Sequence, residues 1–175
     1  MFTKQYEDLI VLAIVGAKSG TKTIYDYKGS SSTINGSAIS PDYLKIRPLA
    51  YNFTLGLGNS SAGHITFWNG ASAPSKDAIV PDGTEIKTSL FTSSVAISGA
   101  VDENGTEVTR LYTLTNASSE AFTIDTVCLC AEFQWAYGKN GVILCDKTQL
   151  ESPLTIEPGG IGQVTYTLRY EWPTT

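Results

Sequence analysis

The chain has 175 residues, the length of a single domain, and its charged fraction of 17% lies below the typical value of about 25%. Small hydroxyl residues, 17 serines and 21 threonines, make up much of the difference. This composition excludes a disordered chain and a solvated helical bundle, and it favours β-structure. The net charge is -5 and the basic residues are not clustered, so we expect no nucleic-acid partner.

Residues 3–17 form the one segment that suits a helix. Thr3 can cap the first turn, and acidic residues follow it. A buried strand over Leu9–Val15 is an equal alternative, because short apolar runs are ambiguous by periodicity. The run is too short to span a membrane, and Glu7 and Asp8 before it disfavour a signal peptide. Since the helix would be apolar nearly all round, we predict contacts with another subunit. The candidate interface residues are Tyr6, Leu9, Ile10, Leu12, Ala13 and Ile14.

Residues 18–50 contain strand-length pieces separated by Gly/Ser-rich turns, a pattern typical of an arm or linker. We therefore predict an N-terminal assembly arm over residues 1–50 and one β domain over residues 51–175.

From residue 51 onward, short alternating segments are separated by turn signals at intervals of about 8–12 residues. This spacing predicts a mainly β fold, an antiparallel β-sandwich of jelly-roll type. The predicted strands are Tyr51–Leu57, His64–Trp68, Thr84–Phe91, Val95–Val101, Thr106–Asn116, Ala121–Gln134, Gly141–Asp146, Pro153–Ile156 and Gly162–Trp172.

The residues that carry catalysis are scarce. His64 is the single histidine, and no Gly-x-Ser-x-Gly motif occurs. A glycan hydrolase would need two carboxylates in one cleft, and the pair Asp125 and Glu132 is better explained as solvated surface. We predict no enzymatic activity, no cofactor and no metal. Three cysteines are predicted to be small buried apolar residues without a disulfide: Cys128, Cys130 and Cys145.

Two aromatic residues precede the turn at residues 138–141. Trp135 and Tyr137 would lie at a loop tip, where exposed aromatic rings mark interaction surfaces. They are candidate binding residues for a surface glycan or a receptor.

Three segments of the chain resemble a sandwich domain that recurs in virion proteins of tailed bacteriophages and prophages. They are a small-residue segment at Asn69–Asp77, a strand, turn and strand over Tyr112–Leu129, and a final hairpin over Leu150–Arg169, including Leu-Thr-Ile-Glu-Pro-Gly-Gly. The resemblance covers roughly residues 65–170. It departs from the usual pattern at Thr126 and Cys128, where the family often has Glu and Gly.

The resemblance implies a non-enzymatic structural component of a tailed-phage virion, on the head surface, neck or tail. Such a protein is made in the cytoplasm of the bacterial host and resides in the virion. Its expected partners are other virion proteins and copies of itself, with no membrane or nucleic acid. The alternative is a carbohydrate- or receptor-binding β-sandwich module at a particle tip.

Overall fold

A computed structural model describes residues 3–8, 20–26, 29–35, 63–136 and 139–171. The protein is mainly β with antiparallel sheets, which confirms the predicted fold at that level. Residues 4–8 are helical, and the Tyr6 N–H donates to Thr3 Oγ1 (3.4 Å), the predicted cap. The apolar segment 9–15 and the predicted strand at 51–57 lie outside the described residues.

Nine strands occur in the described ranges: β1 Thr21–Tyr25, β2 Ser31–Asn35, β3 Gly63–Asn69, β4 Thr84–Glu85, β5 Phe91–Asp102, β6 Gly105–Asn116, β7 Phe122–Ala136, β8 Lys139–Ile156 and β9 Ile161–Glu171. The prediction of a strand over Thr84–Phe91 was wrong, since a 3-10 turn at Thr88–Leu90 interrupts it. β8 continues through residues 147–152, where the sequence predicted a break.

The strands form a hairpin β1-β2, a four-stranded sheet of order β4-β3-β7-β8 and a three-stranded sheet of order β5-β6-β9. The chain divides into two compact units, Met1–Glu85 with Ile124–Pro153, and Ile86–Thr123 with Leu154–Thr175. Strands β7 and β8 contribute residues to both units. The predicted boundary at residue 50 lies outside the described residues, and the division into an arm and one β domain stays a prediction.

The centre of the first unit is β7, which is buried on both faces. Val127, Cys128, Leu129 and Cys130 follow one another without an exposed position. A strand covered on both sides has a continuous apolar run in place of alternation. On one face the two cysteines pack with Trp68 and with Leu144 of β8, as the sequence predicted for buried thiols.

Thr3 and the β1-β2 hairpin belong to the first unit and pack within it. The Thr3 N–H donates to the Cys145 carbonyl (2.9 Å) and Thr3 Oγ1 donates to the Leu144 carbonyl (2.7 Å). In the β1-β2 hairpin, Ile24 and Ile34 are buried. Residues 3–5 thus cover part of the edge strand β8, and the assembly role of the arm stays a prediction.

In the second unit, strand β9 alternates strictly between buried and exposed residues. In β9 the buried residues are Gly162, Val164, Tyr166 and Leu168, and the residues between them are exposed. Because opposite residues of antiparallel strands share a face, Tyr112 of β6 lies beside Val164. The sheet β5-β6-β9 therefore has one apolar face and one face rich in threonine.

Asn116, at the end of β6, joins three segments of this unit. Its Nδ2 donates to the Glu120 carbonyl (2.9 Å) and to the Ile156 carbonyl (2.8 Å). Its Oδ1 accepts from the N–H (2.8 Å) and from the hydroxyl (2.7 Å) of Ser118. Since Asn116 is only 2% exposed, these bonds satisfy an otherwise costly buried amide.

We expect Asn116→Ala to lower the free energy of unfolding by about 2–3 kcal/mol, because the buried Ile156 carbonyl oxygen loses its donor and the Ser118 N–H loses its acceptor. Asn116→Asp should cost at least as much, since a carboxylate would face the carbonyl oxygens of Glu120 and Ile156. Urea unfolding monitored by circular dichroism measures both, with the exposed Ser119→Ala as the control. A loss for Asn116→Ala no larger than that of the control would contradict this role.

Candidate functional site

Strand β5 is the most exposed element of the described chain. Every residue from Thr92 to Asp102 is exposed, on both faces of the strand. The apolar face continues onto it, where Val95, Ile97 and Val101 are 42%, 53% and 77% exposed. Exposed apolar side chains in a row are typical of an interaction surface.

The backbone of β5 is exposed as well, because β5 is an edge strand that pairs only with β6 among the described strands. The hairpin turn has two residues, Glu103 and Asn104, so Asp102 and Gly105 form the first hydrogen-bonded pair. Hydrogen-bonded and non-hydrogen-bonded pairs then alternate along the strands. The residues whose N–H and C=O groups consequently point away from β6 include Ser93, Val95, Ile97, Gly99 and Val101.

Natural edge strands usually carry charged residues, prolines or bulges that prevent pairing with another strand. Residues 91–101 contain no charge and no proline, and their register with β6 is unbroken. The opposite edge strand, β9, carries Arg169 and Glu171. The uncharged edge of β5 therefore offers a template for strand addition.

Both ends of β5 are fixed. At its start, the Phe91 ring packs against Phe122 with centroids 6.2 Å apart. At its end, Arg169 forms ion pairs with Asp102 (3.3 Å) and Glu107 (3.7 Å). The Asn104 N–H and, to a smaller extent, Arg169 lower the pKa of Asp102. These contacts hold the exposed strand in an extended conformation.

One cation lies on the apolar face of this sheet. Arg110 of β6 is buried, in register with Ile97 on one side and Tyr166 on the other. Its Nη1 donates to the Tyr112 hydroxyl (2.9 Å), while its Nε is buried without a hydrogen-bond partner in the described part of the chain. The alternation of β6 places position 110 on this face, but the sequence does not reveal that an arginine is buried there.

A second cluster of polar groups lies in the first unit, around Lys147 of β8. Its side chain is 1% exposed, and its Nζ contacts the Asp82 carboxylate and Ser72 Oγ (3.1 Å). Gly83 positions Asp82: its φ is +99°, and a Cβ there would lie 2.7 Å from the Asn69 carbonyl oxygen. The cluster lines a depression of about 290 Å³.

The contacts of Asp82 keep its carboxylate charged. Partial burial acts to raise the pKa of Asp82, but hydrogen bonds from Lys147 and Ser72 outweigh it and lower the pKa from 3.8 to about 2. Because Lys147 Nζ contacts this carboxylate as well as the Ser72 hydroxyl, the arrangement suits a structural ion pair.

The predicted interface and loop-tip residues are only partly described. Tyr6 is 4% exposed and is therefore buried within its own chain. Leu9, Ile10, Leu12, Ala13, Ile14 and Tyr137 lie outside the described residues. Trp135 is the last but one residue of β7. Residues 139–141, which were predicted as part of a turn, belong to strand β8. Whether the Trp135 ring binds a ligand stays a prediction.

The two candidate catalytic residues lie far apart along one strand. Asp125 and Glu132 are seven residues apart in β7, roughly 23 Å along an extended strand, far beyond the separation of about 9.5 Å that glycoside hydrolysis allows. Asp125 Oδ2 instead accepts a hydrogen bond from the Gly70 N–H (2.6 Å), which fixes the turn after β3. His64 lies in β3, paired in register with Cys130.

Within the described ranges, no group of three or more histidine, cysteine or acidic residues is arranged to hold a metal ion. No helix among those residues has the length and apolar character needed to cross a membrane. No known protein family matches the chain, and no curated protein or solved structure is significantly similar to it.

The ion pair of Lys147 leads to a prediction about pH. Because the folded pKa of Asp82 is about 2 and its ordinary value is 3.8, the carboxylate stabilises the fold above pH 3.8, and this stabilisation is lost as the pH falls toward 2. We expect Asp82→Asn to cost about 1–2 kcal/mol at pH 7, less than for a fully buried pair, since Asp82 is 46% exposed. At pH 2.5 the variant and the wild type should differ much less.

Urea unfolding of the two proteins at pH 7, 4 and 2.5 measures this difference, with Asp77→Asn as a control, because Asp77 lines the same depression without contacting Lys147. Equal stability losses for the two variants at pH 7 would contradict the prediction.

The cysteines lead to a prediction about reactivity. Burial raises the pKa of both β7 thiols, that of Cys130 to about 12, and all three cysteines are buried. Since the thiolate is the reactive form, the native protein should not react with 5,5'-dithiobis(2-nitrobenzoic acid) at pH 8. In urea, three thiols per chain should titrate. Prompt reaction of the folded protein would contradict their burial.

Proposed function

We propose that this chain is a non-enzymatic structural component of a tailed-phage virion, on the head surface, neck or tail, which assembles through contacts between subunits. The observation that carries the proposal is the exposed, uncharged edge of β5 beside a row of apolar side chains. An edge of this kind favours association, and a protein that works as an isolated monomer usually protects it. Assembly gives this exposure a function.

The resemblance of residues 65–170 to phage sandwich domains supports a virion as the place of assembly. The β-sandwich or jelly-roll arrangement expected from the sequence is part of this proposal. The absence of enzymatic activity is supported by the two polar arrangements described above: Lys147 is held by a carboxylate, and the Asp125 and Glu132 backbones are too far apart to share a substrate.

Quantitative proteomics of gradient-purified particles from the source of the gene tests the proposal. We expect the protein at a fixed ratio to the major capsid protein. Because rings and shells are closed and symmetric, hundreds of copies would indicate a head decoration, and about a dozen a neck or tail ring. A parallel sample from lysed cells without particles controls for soluble contamination. Absence from the particles would refute the virion role and favour the soluble binding module.

A further inference from the structure

We propose that β5 of one copy pairs in antiparallel fashion with β5 of a second copy, about a two-fold axis at Ala96. This inference rests on the assembly function proposed above and names the partner and the register of one contact. The pairing would join two three-stranded sheets into one continuous six-stranded sheet.

The unpaired backbone groups show why the partner is a strand. Ser93, Val95, Ile97, Gly99 and Val101 direct their N–H and C=O groups away from β6, as the hairpin turn requires. A second strand supplies acceptors and donors at the same spacing, which side chains do not. Because the strand is already extended and fixed at both ends, pairing requires little further ordering.

The sequence of β5 shows why the second strand is another copy. The uncharged stretch 91–101 is centred on Ala96, and its residues match across that centre. In antiparallel pairing, Val95 lies opposite Ile97 of the other copy, Ser94 opposite Ser98, and Ser93 opposite Gly99. Branched apolar residues thus meet on the apolar face and serines meet on the polar face, and cross-strand pairs of like character stabilise a sheet.

The axis and the ends of the strand also suit this register. Ala96 would face its own copy in a non-hydrogen-bonded pair, where the Cα atoms are about 4.5 Å apart and small side chains fit best. The acidic residues Asp102 and Glu103 follow the uncharged stretch, and Lys87 precedes it. Antiparallel pairing brings the acidic end of each strand toward the end at which the other copy carries Lys87, so the charges are complementary.

Disulfide trapping in the full-length protein tests the register. Ala96→Cys places two thiols across the axis within the Cα range of about 4.4–6.8 Å that a disulfide needs. With oxidised glutathione as the electron acceptor, we expect a cross-linked dimer on non-reducing gels. The native thiols are buried and should not compete.

Ser94→Cys and Ser98→Cys are matched controls. Each introduced thiol would lie about 13 Å along the strand from its own counterpart, so neither variant should cross-link alone. Mixed together, they should form the heterodimer, because positions 94 and 98 face each other. Cross-linking of Ser94→Cys alone, or none with Ala96→Cys, would overturn the register.

Charge variants test the contact without cross-linking. Light scattering coupled to size exclusion should give the wild type a mass of twice 18.8 kDa. Ser94→Lys with Ser98→Lys places like charges opposite each other and should halve the mass, and so should Ser94→Asp with Ser98→Asp. An equimolar mixture of the two double variants should restore the dimer. These serines are exposed, so neither double variant removes a core contact.

The outcomes separate this inference from the proposed function. A monomeric wild type, or a dimer that both double variants leave intact, would overturn the pairing of β5. Particle proteomics decides the virion role independently, because a protein that fails to dimerise alone is still detected in particles if other virion components hold it.

Discussion

The outer backbone groups of an edge strand must find partners outside their own sheet, and this requirement dominates the structure at β5. The two-residue turn fixes which residues point outward, and the register with β6 extends that pattern over the whole strand. Val95, Ile97 and Val101 are among these outward-pointing residues, and their side chains lie on the apolar face of the sheet. Among the described residues, outward backbone groups and exposed apolar side chains therefore lie along one line. A single added strand would pair the backbone groups and would cover the side chains from one side.

The edge strand β8 of the four-stranded sheet shows how this chain protects an edge. Thr3 donates from its backbone and its hydroxyl to successive carbonyl groups of β8, and Lys147 is buried against the Asp82 carboxylate at the same strand. Protection there uses a covering segment and buried polar pairs. In the described part of the chain no segment covers β5, and the nearest charges lie at its end, where Arg169 of β9 pairs with Asp102. The difference supports the view that the β5 edge is kept open for a partner.

The sequence predicted the β character and most strand positions because alternation and turn residues act locally. β9 alternates as predicted, and the Asp102–Gly105 turn joins two of the predicted strands. The strand predictions failed where contacts with residues distant in sequence determine the backbone conformation. The 3-10 turn at Thr88–Leu90 has no strong local signal. Strand β8 continues through polar residues because it pairs with β7. The burial of Asn116 and of Lys147 has no local signal in the sequence, since their partners Ile156 and Asp82 are distant along the chain. The sequence could not predict the exposure of β5 either, because alternation shows which residues share a face and does not show whether another element covers that face.

Stability and association act on different residues of the same unit. Asn116 connects the end of β6 to the end of β8 through its side chain and to the turn before β9 through its backbone. These bonds lie at the end of the sheet where β5 begins and where Phe91 packs against Phe122. The buried network thereby holds β6, and β6 holds β5 in register. A strand aligned by its own fold loses little conformational entropy when a second strand pairs with it, which lowers the cost of association. For this reason, variants at Asn116 should weaken the fold, and exposed variants at positions 94 and 98 should weaken assembly alone.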